Sequence, residues 1–127
     1  FCVLSQKALR FYTPAGKALT SCNFGTSTLE NYEFGMDFCV VALSKYVSGG
    51  RADLVSLGSD WKTLGTAALQ ETPAALCVQG KKLLVLGASN VSVYDSALRP
   101  QESADISTGH VSAVLLPKGE VLLRRRT

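Results

Sequence analysis

The sequence predicts an all-β chain made of repeated units of short antiparallel strands. Two observations carry this: many runs alternate apolar and polar residues at a period of two, and clusters of small and turn-forming residues separate those runs. A third is that the runs recur along the chain, with Leu9, Phe11 and Thr13 matching Val55, Leu57 and Ser59 and then Val91, Val93 and Asp95, at offsets of 46 and 36 residues. Units of about 35 to 50 residues, each holding about four antiparallel strands, are the pattern of β-propeller blades. The expected architecture is therefore a partial or open propeller, with a small β-sandwich as the alternative.

Taken in order, Phe1 to Ser5 is a strand, Gln6 and Lys7 turn the chain, and Ala8 to Thr13 alternates, with Leu9 and Phe11 on one face and Arg10 and Tyr12 on the other. Pro14 to Gly16 is a strong turn signal, since proline fixes its φ and glycine accepts positive φ. Ala18 to Phe24 is the next strand. Gly25 to Gly35 is polar and weakly periodic and reads as a connection with one short strand around Thr28 to Tyr32. In Met36 to Val47, β-branched and aromatic residues favour strand over helix. Asp53 to Gly58 alternates, Ser59 to Trp61 turns, and Thr63 to Leu69 follows. The next unit runs through Pro73 to Gln79, Lys82 to Gly87, Val91 to Ser96 and Arg99 to Ile106, and a last pair of strands flanks Lys118 and Gly119. One domain over 1–127 is expected, a fragment of a longer propeller, with units at about 1–24, 28–69, 73–106 and 110–127. The abrupt ends of the sequence carry the expectation that it is a piece of something longer.

At 127 residues, 46% hydrophobic and 18% charged, the chain has the composition of a globular domain that buries a core. Its net charge of +3 owes much to Arg124, Arg125 and Arg126. That is no broad basic face, so no nucleic-acid partner is expected. No segment has the ~20 apolar residues needed to span a bilayer. Cys2, Cys22, Cys39 and Cys77 are widely spaced without a CxxC pair, and read as buried thiols, with a disulfide as the alternative.

Chemistry is argued against from several sides. His110 stands alone in the chain, and there is no GxSxG elbow for a serine nucleophile. Glu30, Glu33, Asp37, Asp53, Asp60, Asp95, Glu102 and Asp105 fall mostly in turns and connections, where carboxylates cap and solvate. No phosphate loop or GxGxxG is present, so no cofactor is expected, and no metal site is expected from a single histidine. Asn90-Val91-Ser92 fits a glycosylation acceptor, but asparagine in a tight hairpin is explained by its tolerance of positive φ. Tyr12, Trp61 and Tyr94 face either a sheet-to-sheet core or a binding surface.

The segments ALRFYTPAGKAL, DLVSLGSDWKTL and VSVYDSALRP each follow an apolar strand and resemble the blade cores of quinoprotein-like and WD-type propellers. Over nearly its whole length the chain resembles an uncharacterised bacterial family of membrane-anchored proteins with a propeller-like extracytoplasmic domain. That resemblance implies an extracytoplasmic setting, with any anchor outside these residues. The expected function is a noncatalytic scaffold that binds a protein or envelope component through loops: Ser48, Gly49, Gly50 and Arg51 in one, and Ser59, Asp60 and Trp61 in another. The alternative is a fragment of a propeller enzyme, a hydrolase or cofactor-dependent protein, whose catalytic groups lie in other blades. Exposed edge strands also favour self-association.

Overall fold

The computed structural model describes residues 1–44 and 51–125. All regular structure in them is β, in four antiparallel sheets that follow one another along the chain. The first sheet holds β1 (Cys2–Leu4), β2 (Ala8–Tyr12) and β3 (Ala18–Asn23). The second holds β4 (Thr28–Phe34), β5 (Phe38–Ser44), β6 (Ala52–Gly58) and β7 (Thr63–Leu69). The third holds β8 (Ala75–Gln79), β9 (Lys82–Leu86), β10 (Asn90–Asp95) and β11 (Pro100–Asp105). The fourth pairs β12 (His110–Leu115) with β13 (Val121–Arg125). Each sheet is a meander in which strands adjacent in sequence are adjacent in space.

The sheets pack face to face, and the alternation of each strand decides which layer a residue enters. β5 is the clearest case. All seven of its residues are buried; Phe38, Val40 and Ala42 join a core with the third sheet, while Cys39, Val41 and Leu43 join one with the first. A strand covered on both faces needs no polar side, which is why FCVVALS shows no alternation. The first core layer brings Leu9, Phe11 and Phe24 against Cys39, Val41, Leu43 and Leu57. The second brings Phe38, Val40, Ala42 and Leu54 against Leu76, Leu83, Val85 and Leu98. In the third, Leu84, Leu86 and Val91 meet Ala113 and Leu115.

Among the described residues one turn geometry recurs four times. The amides of Thr13, Gly58, Asp95 and Leu116 donate to the carbonyls four residues on, and the residue three positions on returns a bond to each of their carbonyls, all at 2.8–3.1 Å. The returning residues, Gly16, Trp61, Leu98 and Gly119, all have positive φ, at 91°, 67°, 61° and 92°. In the first three sheets a β-bulge precedes this turn, between Phe11 and Tyr12, Ser56 and Leu57, and Val93 and Tyr94. This fixes the equivalences between sheets, and corrects the repeat alignment expected from sequence. Thr13 corresponds to Gly58, not Ser59, so the offsets are 45 and 37 rather than 46 and 36. The one-residue slip matters because it exchanges the two faces of a strand. Leu9 and Phe11 face the following sheet, as do Leu54 and Ser56, whereas Val55 and Leu57 face the preceding one.

Other sequence expectations are adjusted in extent. Residues 25–35 contain a full seven-residue strand rather than a connection with a short one. Its exposure alternates, with Thr28, Glu30, Tyr32 and Phe34 exposed and Leu29, Asn31 and Glu33 half-buried, but polarity does not follow that alternation, so the strand is hard to see in the sequence. The Ser48–Gly50 turn lies outside the described residues, as does Arg126 of the arginine triplet.

Candidate functional site

The turns β4–β5 and β6–β7 lie at the same end of the second sheet, because both join strands that run the same way. There Cys2, Phe34, Gly35, Met36, Phe38, Leu57, Ser59 and Trp61 enclose a mainly apolar cleft of about 160 Å³ at the seam between the first and second sheets. On the other side of the same turn, toward the third sheet, Asp37, Ser59, Asp60, Leu64, Lys81 and Ser96 line a more polar hollow of about 450 Å³. Met36 is 99% exposed at the rim, an unusual position for a flexible apolar side chain.

Trp61 is held by two effects. Its positive φ costs about 1–2 kcal/mol for an L residue, and its ring stacks on Phe11 with centroids 4.2 Å apart, packing into the first core layer. Gly16 and Gly119 occupy the equivalent places with no side chain to bury, and Leu98, also at positive φ, buries its side chain in the second layer. Burial therefore offsets the backbone cost where glycine is absent. From this, Trp61→Ala should lower stability by about 2 kcal/mol. Trp61→Gly should be about 1 kcal/mol more stable than Trp61→Ala, reversing the usual order of alanine over glycine, as read from urea midpoints.

The turn beneath Trp61 is capped by Asp60, whose Oδ1 accepts from the Lys62 amide at 3.2 Å. In the equivalent turns the work falls to Thr13, accepting from Lys17 at 3.1 Å, and to Asp95, accepting from Arg99 at 2.9 Å and from Ala97 at 3.0 Å.

The residues expected to form interaction loops do not all gather here. Ser59, Asp60 and Trp61 do; Arg51 is exposed at the opposite end of β6, a strand length of about 20 Å away. Of the three aromatic residues left open by the sequence, Trp61 and Tyr94 pack into core layers, whereas Tyr12 stacks on Phe1 at 5.3 Å on the outer face of the first sheet. Sequence reasoning did not find Phe34, Gly35 and Met36. The available signal was an exposed apolar residue inserted in a turn between two strands.

All four cysteines are free thiols. Cys39 is buried, and its thiol is pushed up to about 11, first by desolvation and then by the nearby Cys2 and Cys22. Since the folded value exceeds the ordinary 9.0, the stability linked to it is fully present below pH 9 and is lost as pH rises toward 11. Cys39 should accordingly be the slowest of the four to react with a thiol reagent at pH 8, measured by mass spectrometry of the native protein.

His110 has a partner that sequence reasoning missed. Its Nε2 lies 3.3 Å from Ser107 Oγ, which also accepts from Arg125, while its buried Nδ1 has no hydrogen-bond partner among the described residues. A serine and a histidine in contact suggest a nucleophile and base, but here no carboxylate orients the imidazole. No cluster of three metal-binding side chains occurs among the described residues, and no helix there is long and apolar enough to cross a membrane.

The class that fold and site define is an all-β assembly of stacked antiparallel sheets with an apolar cleft at one turn end. No family model matches the chain, and no curated protein does. It is similar in fold to a crystal structure of a protein of unknown function from Bacteroides caccae, with a TM-score of 0.52 and 18% identity over 93% of this chain and 46% of that one. The chain thus spans about half the length of the solved protein it matches.

Proposed function

We propose that the chain is a noncatalytic, propeller-like scaffold that binds a protein partner or envelope component through the turns at one end of its sheets. The observation that carries this reading is the cleft between the first and second sheets, where Phe34, Met36 and Trp61 bring apolar surface to the solvent beside Ser59 and Asp60. Exposed apolar residues on a rigid frame, with a polar rim, suit protein recognition. The face-to-face stacking and the shared turn geometry support a blade-like arrangement, and an extracytoplasmic, membrane-anchored setting is part of the same proposal.

The test is capture of a defined binding protein from a bacterial envelope extract by the immobilised chain, compared with Met36→Asp and Asp60→Lys variants. Both substitutions are at turns and should leave the circular dichroism unchanged. Loss of the same captured protein with both variants is the expected result. Equal capture by all three would overturn the assignment to this end of the molecule.

A further inference from the structure

We propose that the hollow between the second and third sheets, at the end opposite the turn cleft, is a binding site for one uncharged pyranose unit of a glycan. The two sites stand a strand length apart, about 20 Å along β7. They take ligands of different chemistry, so the proposal goes beyond turn-mediated binding.

The hollow arises where the repeat changes its side chains. The turns at Gly58 and Asp95 are equivalent and each follows a bulge, so Val55 and Leu57 of β6 correspond to Ser92 and Tyr94 of β10. Val55 and Leu57 help fill the first core layer, and Leu57 is only 2% exposed. In the third sheet the same places carry hydroxyls. Ser92 stands opposite Val85 in the ladder and Tyr94 opposite Leu83, both of the second core layer, yet Ser92 and Tyr94 stay half-buried. A space of about 370 Å³ is left between them and the end of β7. That is at the low end of the ~300–1,000 Å³ typical of small-molecule sites.

Its lining has an apolar and a polar part. Leu69, Pro73, Val85 and the Tyr94 ring give an apolar wall, with Pro73 and Val85 buried. Beside it lie the hydroxyls of Ser92 and Tyr94 and the side-chain amides of Gln70 and Asn90, none of which is used in a hydrogen bond among the described residues. Burial pushes the Tyr94 phenol above its ordinary 10.0, so it remains an O–H donor. Glu71 is fixed at the rim, its Oε1 accepting from the Ala88 amide at 2.8 Å. A Cβ at Gly87 would overlap both Glu71 Oε1 and Asn90 Oδ1, so these two acceptors converge over bare main chain. Acceptors brought together in this way call for a donor from outside.

A pyranose answers each part. Its hydroxyls donate and accept, as do the hydroxyls and amides that surround it, and its C–H face lies on the apolar wall. An anion is disfavoured, because among the described residues no lysine or arginine lines the hollow and Glu71 would repel it. A cation would find Glu71 as its only charged partner there.

The probes are the methyl glycosides of β-D-glucopyranose, β-D-galactopyranose, α-D-mannopyranose and N-acetyl-β-D-glucosamine, titrated into the isotope-labelled whole chain and followed by amide chemical shifts. At least one should give saturable shifts confined to residues 69–73 and 85–94. Ser92→Val, which restores the residue type of the second sheet, and Tyr94→Phe, which keeps the ring, should each weaken binding about fivefold with circular dichroism unchanged. Met36→Asp and Asp60→Lys should leave it unaffected, so this proposal and the turn-end reading fail separately. No saturation by about 50 mM with any of the glycosides, undiminished binding by both hydroxyl variants, or shifts centred elsewhere would overturn the proposal. So would methylammonium chloride shifting the same amides when no glycoside does.

Discussion

Gly65→Ala should be among the most damaging single-methyl additions in the chain, lowering stability by about 3 kcal/mol. A Cβ at Gly65 would stand 2.6 Å from the carbonyl carbon of Ala97 and closer still to its oxygen. Those atoms are backbone, in the turn between β10 and β11, so no side chain can swing away. The second and third sheets meet here almost main chain to main chain. Ser56, opposite Gly65 in the ladder, donates its hydroxyl to the Ser96 carbonyl at 2.7 Å. The new methyl must push out the turn that carries Leu98 into the core, and the Ser56 bond goes with it. Ser56→Ala alone should cost about 1–2 kcal/mol, because it leaves the Ser96 carbonyl without that donor. In the Gly65→Ala background the same substitution should cost almost nothing. A double-mutant cycle by urea denaturation would show this coupling, and simple additivity would refute the contact.

Leu54→Ala is expected to cost about 2–5 kcal/mol. Leu54 is fully buried on the face of β6 that meets the third sheet, packed in the layer with Leu83, Val85 and Leu98. Its loss leaves a cavity between two sheets, each already pinned at the Ser56 and Gly65 contact, and they cannot close over it. Leu19→Ala, on an exposed side chain of β3, should change stability by no more than about 0.5 kcal/mol. Comparable effects at the two positions would mean that the second and third sheets do not pack as described.

Much of this architecture was legible in the sequence because strand periodicity is written in side chains. Leu9 and Phe11 opposed to Arg10 and Tyr12, and the turns at Pro14 to Gly16 and Lys118 to Gly119, required only local rules. β5 was readable from an unbroken apolar run that its two-sided burial explains. The equivalence of Gly58 to Thr13 and Asp95 was not readable. In the latter two the side chain caps the turn, but glycine has none and Asp60 takes over two residues later. An alignment guided by polar residues therefore drifts to Ser59, and the drift reverses the faces of β6. Tyr32 and Phe34 were hidden for a different reason. They look like a polar strand's occasional aromatics, although they lie on the face of β4 that meets the first sheet. The cleft at Trp61 was only half visible, since Asp60 and Trp61 signalled a turn while Phe34 and Met36 reach it from a separate one.

Residue-resolved hydrogen exchange tests the stacked-sheet arrangement most directly. Amides throughout β5 and β9 should be the slowest, since each strand is paired on both sides and covered on both faces. Rapid exchange through β5 or β9 would contradict it.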